Sequence, residues 1–181
     1  MPKIRRLDPV TSSQIAAGEV VERPASVVKE LVENSIDANA CRILVELEDS
    51  GLQTIKVSDD GSGMTPEDAG LAVERFATSK LSSLEDLDAM TTLGFRGEAL
   101  PSIASCSRLT LETRDASLPY GTEVSVEGGQ ILSVKEKGLP IGTKVSVRDL
   151  FYNTPARLKF VKSRGRERQA VIDIVESLAL A

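Results

Sequence analysis

Lys29-Glu30-Leu31-Val32-Glu33-Asn34-Ser35-Ile36-Asp37-Ala38-Asn39-Ala40-Cys41-Arg42-Ile43-Leu44-Val45-Glu46-Leu47-Glu48 changes its period halfway. Up to Asp37 the apolar residues keep helical spacing, with Val27 and Val28 continued by Leu31 and Val32. Pro24 suits the first turn of that helix, where its missing N–H has no helical partner to lose. Asn39 is the best non-glycine residue for a left-handed terminating position, so the helix is predicted to stop there. From Arg42 to Glu48 the spacing falls to two, and Ile43, Val45 and Leu47 share one face of a strand.

Working outward, residues 14–38 read as helix with a break near Gly18. Ser50-Gly51 marks a turn, and Thr54–Ser58 alternates again before running into Asp59-Asp60-Gly61-Ser62-Gly63-Met64. Thr65-Pro66-Glu67-Asp68 combines an N-cap, a proline at the first helical position and first-turn acids, opening a helix through about Phe76. Residues 77–97 have weak periodicity and polar or glycine clusters, as expected of a long moving loop. A short helix is predicted from Glu98. Strands follow at Leu109–Thr113, Glu123–Glu127, Ile131–Lys135 and Thr143–Val147, separated by glycines. Thr154-Pro155 then leads into a helix over Arg168–Leu180, with Thr154 as its cap. Helices first and an antiparallel meander later predict a layered α+β domain without internal repeats.

Composition excludes several classes. Without histidine the chain loses the commonest general base, the usual catalytic triads and most zinc sites, so proton transfer falls to a carboxylate, lysine or tyrosine. Cys41 and Cys106 lack CxxC spacing and read as buried small apolar side chains rather than a disulfide or metal site. No apolar run approaches the ~18 residues of a membrane span, and the basic start Met1–Pro9 lacks a secretory apolar stretch, so a cytoplasmic location without membrane contact is expected. A net charge of −5 argues against a domain coated in nucleic acid. The local exception is Arg157, Lys159, Lys162, Arg164, Arg166 and Arg168, which reads equally as a solvated surface or a sequence-independent DNA contact.

Glu30, Asn34 and Asp37 lie at i, i+4 and i+7, so their side chains form one polar stripe on the helix. Such a stripe is ordinarily a solvated face. Asparagine is a mediocre helix former whose amide oxygen suits hard cations, and a glutamate one turn away can polarise a water beside a metal-bound phosphate. Asp59-Asp60-Gly61-Ser62-Gly63 reads either as a plain turn or as a place where a ring approaches glycine backbone while a carboxylate accepts from an exocyclic amine. Gly94-Phe95-Arg96-Gly97-Glu98, ahead of a helix, offers N–H groups to an anion. Neither GxxxxGK[ST] nor GxGxxG occurs.

The order of these pieces is more specific than any of them, and it resembles the GHKL ATPase superfamily. Gln14–Pro24, Phe76-Ala77-Thr78-Ser79-Lys80, Gly94-Phe95-Arg96-Gly97-Glu98-Ala99-Leu100 and Asp149–Arg157 are similar to the MutL family of mismatch-repair proteins in particular, and the likeness covers nearly the whole chain. It implies a two-layer α/β sandwich of the Bergerat type over residues 1–181, with a mixed, mostly antiparallel sheet and helices on one face. It implies an ATPase using ATP and Mg2+, with Glu30 as general base, Asn34 as magnesium ligand and Asp59 as the acceptor for the adenine amine. Asp37, Ala38, Gly61 and Met64 complete the pocket, Gly63 makes room for the base, and Thr143 supports Asp59. Thr78, Ser79, Lys80 and Gly94 to Leu100, including Phe95, Arg96, Gly97, Glu98 and Ala99, belong to a lid over the triphosphate.

The resemblance further implies nucleotide-dependent self-association, a mismatch-recognition partner of the MutS type and weak, sequence-independent DNA binding. Asp60 and Asn39 stand where the family usually has Asn and Gly. The family's next domain contributes a lysine to the γ-phosphate, so the 181 residues are expected to be a fragment that binds ATP weakly, hydrolyses little of it and is mostly monomeric. The competing readings are an ATP-holding dimerisation module without turnover and the ATPase domain of a type II topoisomerase.

Overall fold

Helix α1 spans Pro24–Asp37 and begins, as its proline requires, at its first turn. Its end is made by Ala38, whose N–H donates to the Asn34 carbonyl, and by Asn39, whose φ of +57° turns the chain out of the helix. The computed structural model describes residue 18, residues 20–74 and residues 98–180. The helical reading of 14–17 and the loop reading of 77–97 therefore lie outside the described residues.

After α1 come β1 (Ile43–Glu48), a 3₁₀ turn at Asp49–Gly51, β2 (Thr54–Asp59), α2 (Pro66–Leu71) and α3 (Ala99–Ser105). Then follow β3 (Arg108–Arg114), β4 (Gly121–Glu127), β5 (Gln130–Lys137), β6 (Gly142–Arg148), α4 (Pro155–Leu158) and α5 (Arg164–Ala179). The described strands form one six-stranded sheet in the order β1-β2-β6-β3-β4-β5, every pair antiparallel.

Register decides which face is buried. Leu47, Ile55, Val147, Leu109 and Val126 line up across the strands, and Val45, Val57, Val145, Leu111 and Val124 form the next row. Against these rows pack Val27, Val28, Leu31 and Val32 of α1 and Ile103 and Ala104 of α3, forming one core. Each such aliphatic side chain, fully buried, stabilises the fold by about 1.5–3 kcal/mol. Helix α5 packs on α1 and on the 3₁₀ turn. The other sheet face carries ion pairs, with Glu112 between Lys137 and Lys144. Burial pushes the Glu112 carboxyl up, but its two lysine partners together hold it below its ordinary range.

Two predicted elements differ in extent. Thr65 caps α2 as expected, its Oγ1 accepting the Asp68 N–H at 3.2 Å, but the helix stops at Leu71 rather than near Phe76. Gly70 lies in its last turn, where glycine weakens a helix. The final helical segment is two helices, because Val161 between them is tucked against the core and Lys162 spends its N–H on the Glu167 carboxylate at 2.9 Å. Thr154 makes no side-chain cap on α4, and its hydroxyl oxygen is buried without a hydrogen-bond partner among the described residues.

Candidate nucleotide site

The third row of the helix-covered face is where the core turns polar. Ile43, Asp59, Thr143, Thr113 and Thr122 lie side by side across five strands, so Asp59 continues the register of Ile55 and Val57 and points to the same side of the sheet. Even partial burial of a carboxylate there calls for partners. Asp59 Oδ1 accepts the N–H groups of Gly61 at 3.0 Å and Thr143 at 3.2 Å, and Oδ2 accepts from the Ser35 hydroxyl at 2.8 Å. An ionised carboxylate offers about four acceptor positions. Among the described residues the position left over is on Oδ2, beside α1.

Backbone geometry holds this carboxylate in place. Gly142 has φ +114°, and a Cβ there would lie 2.1 Å from the Asp59 carbonyl oxygen, so only glycine lets β6 begin against the end of β2. Gly63 has φ +69°, and its missing Cβ would fall 1.9 Å from the Arg114 carbonyl oxygen. The space on the Cβ side of Gly63 is thus taken by the protein's own β3 backbone. Met64 donates its N–H to Thr113 Oγ1 at 3.0 Å, and Thr113 also bonds the Thr143 hydroxyl at 3.0 Å. Thr143 therefore supports Asp59 through its backbone, while its side chain joins Thr113.

Helix α1 closes the other side. Ser62 donates its N–H to the Ala38 carbonyl at 3.0 Å, and the ideal Cβ position of Gly61 lies against Ala38. Glu30, Asn34 and Asp37 are all half-buried, unlike a fully solvated face. Glu33, by contrast, is buried on another side of the helix and pairs with Lys29 at 3.3 Å, which leaves Glu30 as the glutamate in line with Asn34. Asp37, Ala38, Asp59, Gly61, Gly63, Met64 and Thr143 are thus gathered at one sheet end. Glu98, Ala99 and Leu100 open α3 half-buried, and among the described residues no hydrogen bond ties them to the Asp59 loop. Thr78, Ser79, Lys80, Gly94, Phe95, Arg96 and Gly97 lie outside the described residues.

Sequence reasoning missed Ser35 and Thr113. Ser35 follows Asn34 directly but looks like an ordinary mid-helix serine, and Thr113 is linked to Asp59 only through strand register. Asp60 also has a use that the sequence did not show. Its Oδ1 accepts the N–H groups of Cys41 and Arg42, each at 2.8 Å, pinning the α1–β1 turn. The Arg42 N–H, opposed by slight burial and joined by that of Cys41, holds the Asp60 carboxyl below its ordinary range. One acceptor oxygen suffices for this job, so aspartate and asparagine serve equally.

A helix bearing Glu and Asn, a half-buried aspartate at a strand end and a glycine loop folded onto both define an ATPase of the histidine kinase-, DNA gyrase B- and HSP90-like class. The model of that family matches residues 22–134, and the chain belongs to it. Its branch of the family is that of the MutL proteins. Over 181 residues, 100% of the chain, it is 58% identical both to the DNA mismatch repair protein MutL of Symbiobacterium thermophilum and to that of Desulforudis audaxviator, and it spans 28% and 32% of their lengths. Among solved structures, the Aquifex aeolicus MutL ATPase domain complexed with ADP matches 89% of this chain and 56% of its own, with TM-score 0.70 and 38% identity. The N-terminal domain of a DNA repair protein matches 90% of this chain and 46% of its own, with TM-score 0.74 and 33% identity.

Proposed function

We propose that this chain binds ATP with magnesium and hydrolyses it, and that within a longer protein the cycle switches self-association and contact with mismatch-repair partners. The observation that carries the reading is the Asp59 carboxylate, half-buried at a strand end with one acceptor position unfilled among the described residues, beside the helix of Glu30 and Asn34. That position suits the exocyclic amine of adenine, since a carboxylate is an acceptor only. Ser35 fixes the carboxylate plane, and the Gly61–Met64 loop forms the floor.

Among the described residues no group of three His, Cys, Asp or Glu could hold a metal ion. That fits a magnesium that arrives with phosphates and needs only one protein oxygen, that of Asn34. Once bound, it neutralises charge on the phosphates. Glu30 takes the proton of the attacking water as the water oxygen bonds the γ-phosphorus and the bond to the bridging oxygen breaks, releasing ADP and phosphate. Thr78, Ser79, Lys80 and residues 94–100 hold the phosphates in this reading and close as a lid. In the longer protein, lid closure drives homodimerisation and engagement of a MutS-type protein and of DNA, in the bacterial cytoplasm or nucleoid. Among the described residues no helix is long and apolar enough to cross a membrane.

The test is magnesium-dependent phosphate release by the wild type and by Glu30→Gln, with ATP binding measured in parallel. The expected result is unchanged binding and turnover lowered by roughly 10²–10⁴. Equal turnover would remove Glu30 from the role of base.

A further inference from the structure

Thr113 lies in the polar row one strand beyond Thr143, and it is only 1% exposed. Its hydroxyl oxygen has three neighbours at hydrogen-bond distance: the Met64 N–H at 3.0 Å, the Gly142 carbonyl at 3.1 Å and the Thr143 hydroxyl at 3.0 Å. A hydroxyl has one proton and two lone pairs. The Met64 N–H can only donate and the Gly142 carbonyl can only accept, so the Thr113 proton goes to the carbonyl and one lone pair goes to the amide. One lone pair remains, and the Thr143 hydroxyl meets it by donating. The opposite sense would set the Thr113 oxygen against the Gly142 carbonyl lone pair to lone pair in a buried place, losing one of the three bonds.

This polarity reaches the site. Thr143 is half-buried and spends its only proton inward, so its remaining lone pairs can do nothing but accept. Asp59, its cross-strand neighbour on the same side of the sheet, is also an acceptor. A group seated between the two must bring the protons. The exocyclic amine of adenine brings two, whereas the carbonyl oxygen that guanine and hypoxanthine carry at the same place brings none and would face lone pairs on both sides. We propose that Thr113 is a positioning residue that sets the preference for an aminopurine over an oxopurine, by holding the Thr143 hydroxyl as an acceptor. Buried as it is, Thr113 acts through Thr143 and not on the nucleotide. Without its hydroxyl the Thr143 proton is free to turn outward, where it can donate to a purine carbonyl. The proposal rests on the reading above that the pocket takes ATP, and it names the residue that enforces the choice of base.

ATP and inosine triphosphate, which carries a carbonyl oxygen where ATP carries the amine, are titrated calorimetrically with magnesium. The proteins are the wild type, Thr113→Ser, Thr113→Val, Thr143→Val and the double variant Thr113→Val with Thr143→Val. The wild type and Thr113→Ser are expected to prefer ATP by the same ratio, since serine keeps the hydroxyl. Thr113→Val is expected to lower that ratio by roughly two- to tenfold, the worth of one neutral hydrogen bond. Thr143→Val lowers it as well, and adding Thr113→Val to Thr143→Val changes it no further, because the group through which Thr113 acts is gone. A Thr113 that only ties the Gly61–Met64 loop to the sheet would weaken both nucleotides together and leave the ratio untouched. A wild-type ratio in Thr113→Val, or losses that add in the double variant, overturns the proposal. Should Thr113→Val not fold, Thr143→Val at its half-buried position decides, and an unchanged ratio there overturns the proposal too. Equal affinity of the wild type for the two nucleotides overturns the base preference alone, whereas binding of neither overturns the ATP reading itself.

Discussion

Replacing Asp59 with asparagine changes one atom of the proposed adenine site while leaving its supports usable. The amide oxygen can sit where Oδ1 now accepts Gly61 N–H at 3.0 Å and Thr143 N–H at 3.2 Å. The amide nitrogen then takes the place of Oδ2 and donates to Ser35 Oγ, whose proton is free to turn to the Leu31 carbonyl, already 3.1 Å away. The fold therefore exchanges charge-assisted bonds for neutral ones, a loss of about 1 kcal/mol, and melts a few degrees lower. The nucleotide fares worse, because the free position now presents a donor to an amine that is itself a donor. Losing a hydrogen bond to a charged group costs about 1.5–3 kcal/mol, or roughly ten- to hundredfold in Kd. Isothermal titration with ATP and magnesium, alongside thermal unfolding of both proteins, reads the two effects separately. An unchanged Kd in a folded Asp59→Asn protein would refute the adenine assignment, and loss of the fold would make Asp59 a structural residue first.

Gly63→Ala is expected to lower stability by at least about 2 kcal/mol, since it adds left-handed strain to a clash with the Arg114 carbonyl, and an unaltered melting curve would contradict the close packing described. Stability should fall with acid below about pH 4, because Asp60 and Glu112 have folded-state pKa values below their ordinary ones, so their contribution is present at neutral pH and is lost as pH falls through the folded values. Asp60→Asn keeps the acceptor oxygen and loses the titration, so its pH profile should be flatter in that range; a profile as steep as the wild type's would assign the acid loss elsewhere. Burial pushes the Cys106 thiol up to about 11, whereas Cys41 is exposed, so a thiol reagent at neutral pH should modify Cys41 alone until the chain is unfolded.

Much of the architecture was legible because alternation marks strands that bury one face. Each predicted strand lies within two or three residues of its observed ends, and Pro24, Asn39 and Thr65 act as the helix signals they resemble. Less legible were features set by tertiary packing. Phe151 has φ +69° although it is fully buried, because its N–H is drawn to the Cys106 carbonyl at 2.7 Å and its ring fills the core, and no local pattern announces that. The site divides in the same way. Asp59 and the Glu30–Asn34 stripe show themselves through residue type and spacing. Ser35 and the Thr143 N–H meet Asp59, and Thr113 meets the Thr143 hydroxyl, only through register and helix docking, the Thr143 N–H bond spanning 84 positions of sequence.

The most direct measurement of the central claim is a crystal structure of this chain with a non-hydrolysable ATP analogue and magnesium. It should show the adenine amine donating to Asp59 Oδ2, the Asn34 amide oxygen on the metal, and a water between Glu30 and the γ-phosphate. Adenine bound away from Asp59, or magnesium held without Asn34, would contradict it.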